Sequence, residues 1–220
     1  MPSVILKIIS AFLWLWFLVS SIILTPFLLV IWLVTYPFDR RLRVLHLFSC
    51  FWGAQYIWMN PLWSHKVIDR YKFDSSKPQI VVSNHQSLVD IVLIYSIFRH
   101  FKWTSKQENF KLPFVGWVLR LNGSIKIYRD QADAYEKFRR QAMKEIQKGS
   151  SVMIFPEGTR SRDTRMRKFR EGAFRIAHEA GVDILPVVLE GTGKAIPRKG
   201  WSLEGKQKLI CKILDPVPYD

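Results

Sequence analysis

Cysteine and acid are scarce in this sequence. The chain has two cysteines, Cys50 and Cys211, too few for a disulfide framework and suited to a reducing compartment. Aspartate and glutamate total 18 against 33 lysines and arginines, so the formal charge is +15. A surface that basic points to anionic partners: nucleic acid, acidic lipid headgroups or phosphorylated substrates. His46 and Cys50 stand at i, i+4 but bring too few ligands for a metal site, and none is expected there. Internal repeats, low-complexity tracts and an interdomain linker are all missing, which leaves one α/β domain with a small appendage. No G-x-S-x-G elbow occurs, and both cysteines sit in apolar surroundings, so no enzyme nucleophile is evident.

Charge is also absent from residues 8–38, 31 positions that include "FLWLWFLVSSIILTPFLLVIWLV". A soluble core helix needs a polar face, and this run has none, so lipid is its expected surrounding. It is longer than a signal-peptide core and has no clean cleavage site. One span takes about 20 residues, so two full spans do not fit, and Pro26 near the middle breaks or kinks a helix. Two arrangements remain: one long kinked span, or two short helices that dip into one leaflet and return. Residues 44–64 are uncharged and aromatic-rich, suiting either a membrane interface or a buried core helix. Arg40, Arg41 and Arg43 follow the first run directly, placing the remainder on the cytoplasmic face of an inner membrane by the positive-inside rule. The expected division is a membrane-associated helical motif over 1–65 and an α/β domain over 66–220.

Beyond Lys66 the elements alternate. "QIVVSN" reads as a buried strand, and "SLVDIVLIYSIF" as a helix from about Ser87. "FKWTSK" is a second strand, and "PFVGWVLRLNG" a short helix stopped by Gly123. "SIKIYR" alternates as a strand should. Asp130 caps a helix to Lys148, with Tyr135, Phe138, Ala142 and Ile146 on one face. "SVMIFPE" is the next strand. A helix over 169–180 carries Phe169, Ala173, Ile176 and Ala180 together and stops at Gly181, and "DILPVVLEG" and "KLICKILDPVPY" close as strands. Strands separated by helices give an α/β class: a mixed sheet flanked by helices, with an N-terminal helical membrane-anchoring motif. The polar loops "SNHQSLVD", "IYR" and "FPEGTRSR" all follow strands, at the ends where α/β sheets bind ligands.

"SNHQSLVD" has two readings. Ser87-x-x-Asp90 has the form of a capping box, which makes His85 an incidental loop residue. Alternatively Asp90, one turn into the helix, folds back onto His85, fixing its tautomer and leaving Nε2 to take a proton from a substrate hydroxyl. With no enzyme nucleophile in view, that hydroxyl belongs to an external alcohol. In "FPEGTRSR", Gly158 permits close backbone approach and Arg160 offers a fork for phosphate oxygens, with Arg129 a second candidate at a neighbouring strand end. The run "RSRDTRMRKFR" reads in part as a contact for acidic lipid.

His-x4-Asp followed by Phe-Pro-Glu-Gly-Thr-Arg resembles the glycerolipid acyltransferases, most closely the bacterial 1-acyl-glycerol-3-phosphate (lysophosphatidic acid) acyltransferases. Residues 84–90 match the family's first block, 123–129 the second, 155–160 the third and 185–188 the fourth, while Lys106-Gln107-Glu108 with Pro113-Phe114-Val115-Gly116 resembles the stretch between the first two. The resemblance implies acyl transfer from acyl-CoA or acyl carrier protein to the sn-2 hydroxyl of lysophosphatidate, giving phosphatidate in phospholipid biosynthesis. It assigns His85 as general base and Asp90 as its orienting partner. Glu157, Gly158, Thr159 and Arg160 carry over to the acceptor site, with Lys106 and Arg129 as phosphate contacts. It also favours the dipping hairpin for residues 8–38, and implies no metal, no bound cofactor and no nucleic acid. Two features depart from the pattern: Lys126 stands where the second block has an aromatic or apolar residue, and the sequence reads to Asp220 where many relatives continue into a final helix. The same chemistry on glycerol-3-phosphate, another lysophospholipid or a lysoaminolipid is the alternative. A non-enzymatic basic protein binding membrane or nucleic acid explains the charge but not the three loops.

Overall fold

The computed structural model describes residues 3–128, 131–161, 165–196 and 201–219. Helix α1, Ser3–Thr35, runs uninterrupted through Pro26. The two-short-helix arrangement for residues 8–38 is therefore replaced by one helix, about 50 Å long at 1.5 Å per residue. Around the proline, hydroxyls supplement the backbone: Thr25 Oγ1 donates to Ser21 O, and Ser21 Oγ to Phe17 O, each at 2.6 Å. By length and composition α1 can cross a membrane.

Helix α2, Arg43–Trp58, packs beside α1. The buried-helix reading holds on one face, and the opposite face leaves apolar side chains exposed. Leu45, Cys50, Trp52 and Ile57 are buried, whereas Val44, Leu47, Phe51 and Trp58 are exposed. Leu28 of α1 and Leu42, Leu45 and Trp52 close a small core between the helices, and Ser20 Oγ meets the Tyr56 hydroxyl at 2.7 Å.

Seven strands form one sheet in the order β1-β7-β6-β2-β5-β3-β4. They are β1 Trp63–Ile68, β2 Ile80–Ser83, β3 Phe101–Lys106, β4 Ile125–Ile127, β5 Ser151–Ile154, β6 Ile184–Glu190 and β7 Gln207–Ile213. Among the pairings of these strands in the described residues, β6–β7 is antiparallel and the others parallel. Strand β1 straddles residue 65, so the sheet takes in residues from before the expected division. Four helices complete the layers: α3 Val89–Tyr95, α4 Val115–Leu121, α5 Ala134–Gln147 and α6 Gly172–Ala180. Helix α5 begins at Ala134, and the expected cap Asp130 lies outside the described residues.

Alternation along the strands separates two cores. Val81, Trp103 and Met153 face α3 and the end of α2, with Leu93, Ile94, Ile97 and Ile57. Ile80, Val82, Val152 and Ile154 face α5 and α6, with Phe138, Ala142, Ile146 and Ile176. Because β2, β5, β3 and β4 are parallel, their carboxyl ends share one edge. The loops from β2 and β5 are immediate neighbours there, while β4 lies two strands further out with β3 between.

Candidate active site

Strand β2 ends at Ser83 and α3 begins at Val89, so a five-residue loop, 84–88, must turn the chain. Asn84 pins its start to β6: its amide nitrogen donates to Leu189 O at 2.9 Å, and Leu189 N donates back to its oxygen at 2.8 Å. Asp90, 0% exposed, holds the other end. Its Oδ2 accepts from Gln86 N at 2.6 Å, Ser87 N at 2.9 Å and the His85 Nδ1–H at 2.8 Å. Val89 N donates to Ser87 Oγ at 3.3 Å. The capping contacts and the expected His85–Asp90 pairing are therefore one arrangement: the carboxylate that organises the helix start also orients the imidazole. With Nδ1 as donor, Nε2 is the basic nitrogen.

The His85 ring lies on Phe155, with centroids 4.0 Å apart and planes 13° apart. Stacking and the Asp90 bond together fix the ring's position and tilt. Phe155 was not singled out in the sequence; the signal was an aromatic residue directly before Pro156-Glu157 at a strand end. Asn84 was likewise quoted only as part of its block.

Glu157 is 4% exposed and ties the β2 and β5 loops together. Its Oε1 accepts from His85 N at 2.8 Å and its Oε2 from Arg167 N at 2.9 Å. Ser161 N donates to His85 O at 2.8 Å, so the histidine is clamped through both backbone groups. With both carboxylate oxygens held by backbone N–H groups, Glu157 is a scaffold joining the two loops. Gly158 turns the chain at φ 68°, and an added Cβ would stand 3.0 Å from Arg170 Nε. That guanidinium covers the turn, while Arg170 N donates to Pro156 O at 2.9 Å. Thr159 and Arg160 follow, partly exposed.

Lys106, the last residue of β3, reaches the same edge. Arg129 follows β4 but lies outside the described residues, as do residues 162–164 of the basic run. The structure thus brings His85, Glu157, Gly158, Thr159 and Arg160 into two adjoining loops, with Asp90 in the first turn of α3 and Lys106 one strand further along.

One cluster of strongly perturbed titratable groups lies away from these loops, where β3 and β5 begin. Burial lowers His46 to about 3, His100 to about 2 and Lys102 to about 8; Lys102 lowers both histidines further, while Glu145 partly offsets the shift of Lys102. His46 Nε2–H donates to Arg99 O at 3.1 Å, and Lys102 Nζ donates to Asn122 O at 2.8 Å. Among the described residues no cluster of His, Cys, Asp and Glu could hold a metal ion.

A histidine steered by a carboxylate, at the carboxyl edge of a largely parallel sheet and bordered by basic side chains, suits proton transfer from a hydroxyl on an anionic ligand. The Acyltransferase family model matches residues 64–190, and the chain belongs to that family. It is 33% identical over 202 residues to a chloroplastic 1-acyl-sn-glycerol-3-phosphate acyltransferase of Arabidopsis thaliana, covering 89% of this chain and 56% of that one. The Haemophilus influenzae 1-acyl-sn-glycerol-3-phosphate acyltransferase is 32% identical over 161 residues, covering 71% and 66%. The crystal structure of the 1-acyl-sn-glycerophosphate acyltransferase of Thermotoga maritima superimposes with a TM-score of 0.85 at 27% identity, covering 100% of this chain and 88% of that one. The chain spans between 52% and 64% of the length of these plant and algal relatives.

Proposed function

We propose that the protein acylates the sn-2 hydroxyl of 1-acyl-glycerol-3-phosphate, using acyl-CoA or acyl carrier protein as donor, to give phosphatidate in phospholipid biosynthesis. The observation that carries this reading is the 2.8 Å bond from His85 Nδ1 to a buried carboxylate, which commits Nε2 to substrate. Nε2 takes the hydroxyl proton as the oxygen attacks the thioester carbonyl carbon. The C–O bond forms, the tetrahedral intermediate collapses with loss of the C–S bond, and the imidazolium returns the proton to the departing thiolate. Asp90 holds the tautomer and stabilises the transient imidazolium. Arg160, with Lys106 and Arg129, holds the acceptor phosphate so that the hydroxyl rests beside the ring, with Glu157, Gly158 and Thr159 shaping that loop. The acyl donor enters as a substrate, and the reaction needs no metal or bound cofactor.

The setting is a phospholipid membrane. The exposed apolar faces of α1 and α2 support docking, and Arg40, Arg41 and Arg43 support the cytoplasmic face of the inner membrane. Acyl transfer by His85→Ala in vesicles tests the base: turnover within a few-fold of wild type removes the assignment. Arg160→Ala should raise the KM for lysophosphatidate; an equal effect on a phosphate-free acceptor removes its phosphate role.

A further inference from the structure

Trp103 pairs with Met153, and Ser105 pairs with Lys126. Side chains alternate along strands, so Phe155 (next on that face after Met153), Ser105 and Lys126 form one row across β5, β3 and β4. The row lies on the face of Trp103 and α3, and the His85 ring stacks on its first member. At about 4.8 Å per strand, the Lys126 Cα stands about 10 Å from that of Phe155. Lys106 pairs with Ile127, at the end of its strand.

The Lys126 ammonium rests 5.2 Å from the centroid of the Phe110 ring. Phe110 is 3% exposed, and the backbone beneath it is fixed by close approach: a Cβ on Gly116 would meet Phe110 O at 2.3 Å. Lys126 is half-buried and makes no ion pair among the described residues. A ring face steadies an ammonium without using its N–H donors. The result is an ammonium steadied on a ring face, on the strand row that leads to the imidazole.

We propose that Lys126 is a specificity-determining residue that binds the phosphate of the glycerolipid acceptor. This deepens the lysophosphatidate reading and rests on it. The acceptor lies along the row, with its hydroxyl at His85 and its phosphate between Lys126 and the Arg160 loop. A phosphate-free acceptor of the same acyl chain gains nothing from this residue.

The test compares wild type, Lys126→Met and Lys126→Arg in detergent micelles, with lysophosphatidate and with 1-acylglycerol. Lys126→Met should raise the KM for lysophosphatidate about tenfold, the weight of one charged contact. It should leave kcat, the donor KM and the 1-acylglycerol KM unchanged, and Lys126→Arg should restore most of the loss. An unchanged lysophosphatidate KM, an equal loss on both acceptors, or a rise confined to the donor KM overturns the proposal. If Lys126→Met does not fold, Lys126→Gln takes its place with the same expected pattern. Wild type that ignores lysophosphatidate sinks the functional reading itself; active wild type with an unaffected Lys126→Met sinks this proposal alone.

Discussion

Replacing Asp90 separates its two duties. In Asp90→Asn the side-chain carbonyl can take the place of Oδ2, and the amide nitrogen falls where Oδ1 is buried without a hydrogen-bond partner. The three donors on Oδ2 keep an acceptor but lose its charge. Charge-assisted bonds contribute about 1.5–3 kcal/mol and neutral ones about 0.5–1.5. The summed loss is about 3 kcal/mol, partly offset because an ionised carboxylate is no longer buried. A net destabilisation of about 1–2 kcal/mol is expected. Turnover should fall much further, because the imidazolium formed on proton transfer loses its counter-charge. The equivalent change in serine proteases costs about 10⁴ in kcat, and about 10³–10⁴ is expected here, or about 4–5.5 kcal/mol of barrier.

Asp90→Ala should behave differently. It leaves the Gln86 and Ser87 N–H groups without their acceptor at a site 0% exposed, at about 1–3 kcal/mol each, so about 2–6 kcal/mol of stability is lost with activity. The assay is acyl transfer followed by mass spectrometry of the lipid product, alongside thermal melts of each variant. Asp90→Asn retaining more than a tenth of kcat would refute the reasoning and reduce Asp90 to a cap.

Gly158→Ala should reduce activity several-fold and stability by about 1 kcal/mol, since a Cβ at φ 68° is strained and presses on Arg170; kinetics and melting of the variant check this. Glu157→Gln sets a donor against one of two backbone N–H groups, so the loop after β5 should loosen and be cut faster by protease, with a lower kcat; unchanged cleavage and kcat would show that the two bonds carry no weight. Acid should unfold the protein through His46 and His100. Their folded values, about 3 and about 2, lie below the unfolded value near 6.5, so the unfolded state binds more protons and stability falls as pH drops below about 6.5. His100→Gln should flatten the loss of melting temperature between pH 7 and 5, and an identical slope in the variant would contradict the assignment.

Short apolar runs buried on both faces, such as Ile80-Val81-Val82 and Val152-Met153-Ile154, were legible because parallel central strands admit no polar alternation. Strand β1 was not, because "WSHKVI" is half-exposed and pairs along β7 alone at the sheet edge. Pro26 reads locally as a breaker, yet α1 continues, since Leu28 and its neighbours pack on α2 and hydroxyls bond the turn before it. His85 and Asp90 could be placed because five residues of sequence bring them together. Phe155 beneath the ring, Glu157 across to His85 N and Lys126 on the same row depend on strand order and register, which no local pattern encodes.

The scarcity of acid acquires a physical reason at this edge. Asp90 and Glu157 are both nearly inaccessible, and each carboxylate gathers backbone N–H groups. Asp90 holds the loop after β2 in shape; Glu157 holds that loop against the one after β5. Both negative charges are thereby directed inward, at donors that would otherwise be unsatisfied, and the solvent side is left to Arg160, Arg165, Arg167 and Lys168. The proposed anionic acceptor would then meet a net positive field, and the acids that build the site would not repel it. Raising the solvent-facing negative charge should therefore weaken acceptor binding without disturbing the His85–Asp90 bond, because that bond lies below the surface on which the field acts.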